Sequence, residues 1–394
     1  MEKNQYRKEP LKDNVEEMFI GPFGSSLKNE CFVDERNAYC MVYEQKHAIQ
    51  KTLAGKNRFV DRNKYQELKR FTVKPGDIIV SCRGTIGETF IIPENAPLGI
   101  MHPSIMKIRL KPNVYNIEYF NLLLKSRLEA YNKSANGSGI KMAISATELG
   151  KELFPIPPMD EQQKTSKIFL MVNHLILLRQ QQLAKLDELV KAQFANTFEN
   201  DANFHTDYME NLSEFVTVGI ANSATHAYAE HGVVMLRNQN IKENHLDDTE
   251  LVYIEPKFAD KYKSKKLEAN DILVTRTGYP GIACVVPQKY AGSQTFTTLI
   301  IRLKKETNVS SCYICHYINS SHGKKYVSGT KVGVAQQNFG AKVLAKMPVI
   351  VPPIELQNQF ATFVARIDQQ KQTVQQSLEK LELMKKALMQ EFFG

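Results

Sequence analysis

The sequence predicts an α+β fold built twice: a domain with a largely antiparallel sheet, a long helix, a second such domain and a second long helix. Two observations carry this. PIPPMDEQQKTSKIF at residues 155–169 recurs as VIVPPIELQNQFATFV at 349–364, and placing Pro157 on Pro352 sets an offset of 195 that continues without gaps to residue 394. Upstream of each copy, DIIVSCRGTIG (77–87) answers DILVTRTGYPG (271–281), and IRLK at 108–111 answers IRLK at 301–304. NVEEMFIG (14–21) likewise answers NLSEFVTVG (211–219), and a loop with Ser138, Gly139 and Lys141 answers one with Ser328, Gly329 and Lys331. A period this long marks a duplicated domain, since solenoid units are roughly 20–50 residues. The expected boundaries are a first domain at 1–150, a helix at 151–198, a second domain at 199–345 and a helix at 346–394.

Each helix is announced by a stop and then a period. Two prolines end the preceding strand, and Asp160 or Glu355 follows in the first turn, where a carboxylate meets the positive end of the helix dipole. In the second copy an apolar seam runs Phe360, Val364, Ile367, Lys371, Val374, Leu378, Leu381, Lys385, Leu388, Phe392, stepping four and three as a heptad does. The first copy gives Thr165, Phe169, Val172, Ile176, Arg179, Leu183, Leu186, Val190, Gln193, Thr197. Polar interruptions in one helix align with apolar residues in the other: Lys371 with Ile176, Lys385 with Val190, Arg179 with Val374. We read this as two helices paired with each other, because a homodimer would stack Lys371 on Lys371. The alternative is two amphipathic helices, each packed on its own domain.

Within each domain the strands are short and separated by Gly and Pro turns: DIIV and DILV, FIIP and CVVP, IMKIRL and LIIRL, with a helix near 118–132 or 312–326. Cys312, Cys315 and His316 have the C-x-x-C-H spacing of haem attachment, but the matching stretch 118–122 carries no cysteine and has the same helical pattern, so a packed helix is expected.

Composition is that of a globular chain: 394 residues, 43% hydrophobic and 24% charged. No apolar run approaches the roughly 18 residues of a membrane span, and residues 1–14 lack an apolar signal core, so a cytoplasmic protein with no membrane partner is expected. Net charge is +9, and residues 1–150 hold 23 Lys and Arg against 17 Asp and Glu, which points to a polyanion partner such as nucleic acid. Enzyme motifs are missing. There is no G-x-G-x-x-G loop, GPFGSSLK (21–28) is no nucleotide P-loop, and no H-E-x-x-H metal site is present. The double prolines sit in IPPM and VPPI, without the acid or amide before them and the aromatic after them that an amino-methyltransferase carries. No catalytic residue, metal or cofactor is expected in this chain.

Two domains, each ending in a Gly-containing loop, a PPMDEQ or PPIELQ signal and a long helix, resemble the specificity subunit of type I restriction-modification systems over essentially the whole chain. The resemblance implies a non-catalytic reader of double-stranded DNA with two target recognition domains, each binding half of a split, asymmetric site. It implies that the two helices pair as an antiparallel coiled coil, act as a spacer, and dock two methyltransferase subunits carrying S-adenosylmethionine. Restriction/translocase subunits using ATP and Mg would add to these, in a bacterial or archaeal cell. The PP-acid-x-Gln starts, with Asp160, Gln162, Glu355 and Gln357, are then candidate partner-binding positions, although Leu356 stands where the first helix has Glu161.

For DNA contact, MLRNQNI (235–241) offers Arg237, Asn238, Gln239 and Asn240, the side chains that read guanine through O6 and N7 or adenine through N6 and N7; a polar turn after a strand is the plainer reading. The first-domain counterpart, near 42–50, offers Glu44, Gln45, Lys46 and His47. Arg83 and Arg276 lie in matched Gly-rich loops and either reach DNA or form structural ion pairs. Lys141, Lys331, Gln336 and Gln337, in the loops leading to the helices, are expected on phosphates, contacts that position without specifying.

Overall fold

The computed structural model describes residues 6–135, 145–199, 204–221, 225–329 and 339–394. It divides into two units, residues 1–178 with 378–394, and residues 179–377, so each unit takes a part of both long helices. Lys141, Lys331, Gln336 and Gln337 lie outside the described residues.

In the first unit the strand with the DIIV run, Ile78–Ser81, lies in an antiparallel sheet ordered Val15–Ile20, Ile105–Leu110, Ile78–Ser81, Thr89–Ile91. The second unit repeats it as Ser213–Val218, Leu299–Leu303, Ile272–Val274, Ala283–Val285. Both faces of this sheet are covered. Ile78 and Val80 pack with Ile108 and Phe120 on one side, while Ile79 packs with Tyr43 and Met101 on the other. Ile272 and Val274 against Leu273 divide the same way. That is why these strands read as continuous apolar runs rather than alternating ones. The aspartate opening each run is buried and bound in two-pronged fashion by an arginine of the IRLK strand: Asp77 by Arg109, both bonds 2.7 Å, and Asp271 by Arg302, both 2.8 Å.

A second four-stranded sheet completes each unit: Arg58–Val60, Cys40–Tyr43, Gly99–Met101, Thr72–Val73 in the first, and Tyr228–Ala229, Val252–Ile254, Val233–Leu236, Gln294–Thr295 in the second. One pairing in each is parallel, Cys40–Tyr43 with Gly99–Met101 and Val233–Leu236 with Gln294–Thr295. The helix Ser311–Asn319 buries Cys315 and His316 in its core face. No helix among the described residues is long and apolar enough to cross a membrane.

The long helices, Met159–Phe194 and Ile354–Phe393, pair in antiparallel fashion within each unit. In the second unit Arg179 Nε donates to Ser377 Oγ at 3.2 Å, Lys371 is ion-paired to Asp187, and Phe194 meets Phe360 with ring centres 5.4 Å apart. In the first, Phe169 packs between Phe392 and Phe393. The seam follows the heptad from Thr165 to Val190 and from Phe360 to Leu388. It departs at both C-terminal ends: Phe194 and Phe198 are buried where Gln193 is exposed, and Phe393 is buried where Phe392 is 36% exposed. There the contact between the helices passes into aromatic clusters shared with the domain cores, and a π-helical turn, Ala195–Glu199, brings Phe198 onto Tyr313 and Phe360. The expected matching of Lys371 with Ile176 is corrected too. An antiparallel pair sets Lys371 against the first helix near Asp187, so its charge is met by a carboxylate instead of reaching past an isoleucine.

Candidate nucleic-acid interface

In each unit two turns meet at the end of the sheets. The first follows the strand Cys40–Tyr43 or Val233–Leu236. Glu44 N donates to His47 Nδ1 at 2.9 Å, and Arg237 N donates to Asn240 Oδ1 at 3.0 Å, so one side-chain-to-backbone box closes both turns and sets Glu44–His47 in register with Arg237–Asn240. The second is the Gly-rich loop. Ser81 Oγ donates to Thr85 O and Thr275 Oγ1 to Tyr279 O, at 2.6 and 2.7 Å, and each hydroxyl accepts the amide of Glu88 or Ile282 at 2.9 Å. Gly84 and Gly278 sit at φ +66° and +73°, a left-handed conformation that glycine adopts without a Cβ penalty. By this match Arg83 stands with Thr277 and Cys82 with Arg276, so the two arginines share a loop but not a position.

The turns touch. Asn238 Nδ2 donates to Thr277 Oγ1 at 2.7 Å, and a Cβ on Gly84 would lie 3.8 Å from Gln45 Nε2. Arg83 is exposed, with no ion-pair or hydrogen-bond partner among the described residues, which favours a surface role over a structural ion pair. Arg237 is partly held, one Nη donating to Glu250 O at 2.7 Å, while Gln239 donates to the Glu250 carboxylate at 3.3 Å. Four buried polar atoms at this rim have no hydrogen-bond partner among the described residues: Gln45 Oε1, Arg237 Nε, Asn238 Oδ1 and Arg276 Nε. Buried polar groups are nearly always bonded, so these four atoms are open donors and acceptors at the rim. Tyr279, 84% exposed at the tip of its loop, adds an aromatic face that sequence reasoning passed over.

Three expectations need correction. His47 and Asn240 are fully or almost fully buried and spend their side chains inside the turn: His47 Nε2 pairs with Asn57 Oδ1 at 2.9 Å, and Asn240 Nδ2 donates to Asp247 O at 3.0 Å. Burial also pushes the His47 pKa down, so the ring is neutral and offers no charge to a phosphate. Neither residue faces a ligand. Lys46 is committed as well, to Glu44 at 3.0 Å and to Lys56 O.

The third correction concerns the helix starts. Gln162 and Gln357 are 1% and 0% exposed and make the same three bonds in the two units. Gln162 accepts from Asn116 N (2.8 Å) and donates to Val114 O (3.2 Å) and Pro157 O (2.9 Å). Gln357 accepts from Ser310 N (2.9 Å) and donates to Asn308 O (2.8 Å) and Pro352 O (2.9 Å). The glutamine of the motif therefore locks the proline corner to the start of a domain helix and is not a partner contact. Asp160 and Glu355 remain exposed, Asp160 in an i,i+4 pair with Lys164.

The description "Type I restriction modification DNA specificity domain" fits residues 33–188 and again residues 195–383. The chain belongs to this family. As a type I specificity subunit it is similar to the MjaVIII specificity subunit of Methanocaldococcus jannaschii, 21% identical, with 82% of this chain and 79% of that one covered. It is also similar to the EcoBI specificity subunit of Escherichia coli, 23% identical over 76% of this chain and 67% of that one. Among solved structures, a chain of a type I R-M system covers 98% of this chain and 97% of its own at a TM-score of 0.62 and 12% identity. The S subunit from M. genitalium covers 100% and 98% at 0.54 and 12%. The fold is thus that of specificity subunits.

Proposed function

We propose that this specificity subunit reads a split, asymmetric site in double-stranded DNA, one half with each rim, and that the paired helices set the number of unread base pairs between the halves. The observation that carries this is the rim itself, built twice from the same kind of box, with an unpartnered amide oxygen in each copy, Gln45 Oε1 and Asn238 Oδ1, and different side chains around it. Equal scaffolds with unequal side chains suit two unlike half-sequences. Arg237 is the strongest guanine reader, and Arg83, Gln239 and Arg276 are further contacts to bases or phosphates. The chain supplies no chemistry of its own. Methyl transfer belongs to two methyltransferase subunits with S-adenosylmethionine, docked along the helices near Asp160 and Glu355, and cleavage to restriction/translocase subunits with ATP and Mg.

The test is methylation profiling of cells carrying the chain with its methyltransferase. Arg237→Ala is expected to cost about 1–3 kcal/mol at one position and to relax one half-sequence, leaving the other intact. A uniform loss over all sequences would instead place Arg237 on the DNA backbone.

A further inference from the structure

Of the four positions in the matched turns, three change character between units: Glu44 against Arg237, Lys46 against Gln239, and His47 against Asn240. The last pair is locked inside the turn. The second position alone keeps its chemistry, a carboxamide: Gln45 in the first unit, Asn238 in the second. Both amide oxygens are buried without a hydrogen-bond partner among the described residues. Both amide nitrogens lie against the same part of the Gly-rich loop, Asn238 Nδ2 at 2.7 Å from Thr277 Oγ1 and Gln45 Nε2 beside Gly84.

We infer that Gln45 and Asn238 are the adenine-reading residues of the two units, one adenine in each half-site. This rests on the split-site reading above. A carboxamide presents one acceptor and one donor side by side. In the major groove only adenine offers the complement, the N6 amino group as donor and N7 as acceptor; guanine shows two acceptors, cytosine a donor, thymine an acceptor and a methyl group. Turning the amide outward breaks no bond to its oxygen, because the oxygen has none, and in Gln45 the nitrogen has no hydrogen-bond partner among the described residues either. An unmet buried acceptor is costly, so pairing with N6 removes a defect of the free protein. In the first unit the neighbouring Glu44 carboxylate is already engaged by Lys46 and Arg58.

The full chain is expressed with its methyltransferase in a host lacking adenine methylation, and the methylated sequences are read genome-wide. Gln45→Ala is expected to lower discrimination roughly 5- to 150-fold at one A·T pair of one half-site, and Asn238→Ala to do so at one A·T pair of the other. Gln45→Glu and Asn238→Asp keep the shape but lose the donor to N7, and are expected to relax the same pairs. Relaxation at a G·C pair, equal loss in both halves, or an unchanged profile overturns the inference. If an alanine variant gives no methylation because it fails to fold, the isosteric acid variant decides on the same criteria. A wild-type profile without two half-sequences would instead defeat the split-site reading.

Discussion

Gln162 and Gln357 show how far a single residue is legible from sequence. The motif stands out because it recurs at an offset of 195, but recurrence does not tell a partner contact from a structural lock. Burial and three bonds each decide it, and these depend on carbonyls 48 or 49 residues away in the chain. The same holds for His47 and Asn240, whose polar side chains serve the turn that presents their neighbours. Gln357→Ala leaves the Ser310 amide and the Asn308 and Pro352 carbonyls unmatched. At about 1–3 kcal/mol for an unsatisfied buried group, part of it recovered by water, the loss is expected to be about 2–4 kcal/mol. Urea unfolding of the full chain should show the transition of the second unit moving to lower denaturant while that of the first stays. A shift too small to measure would mean that the lock contributes nothing.

At the scale of elements, the strands and helices were readable because their periods are strong, whereas their ends were not. The seam is set by helix–helix packing up to Val190 and Leu388; beyond these, domain cores compete and Phe194, Phe198 and Phe393 change face. The helix Ser311–Asn319 makes such a junction, since His316 is buried against the rings of Phe194 and Phe360. Burial, with Lys371 nearby adding to it, pushes the His316 pKa from 6.5 down to about 4. Lys371 is itself paired with Asp187 and Asp368, so the charges facing this site are accounted for by these groups. The folded state holds the imidazole neutral, and the unfolded chain binds the extra proton first. Stability is therefore complete above about pH 6.5 and falls as pH drops toward 4, by on the order of 3 kcal/mol. Melting of the full chain between pH 7 and pH 4 should show this fall in the second unit, and His316→Leu should flatten it. An equal slope in the variant would assign the pH dependence to other groups.

For the whole molecule, duplication was the most readable property, because two copies check each other: where one carries Cys315, the other carries Asn121 on the same helix pattern. What one sequence could not give is which side chains reach the rim, since that depends on two turns from distant segments coming together around residues 44–47 and 81–87, or 237–240 and 275–281. In the proposed function two separate readers are joined by a helical spacer. The division between units falls between Leu178 and Arg179 and between Ser377 and Leu378, where Arg179 and Ser377 face each other. Adding four residues to each helix at these points lengthens both by about 6 Å, close to one turn. Genome-wide methylation by this variant with its methyltransferase should show both half-sequences unchanged and the unread gap between them longer. An unchanged gap at full activity would contradict the claim that the paired helices space the two readers.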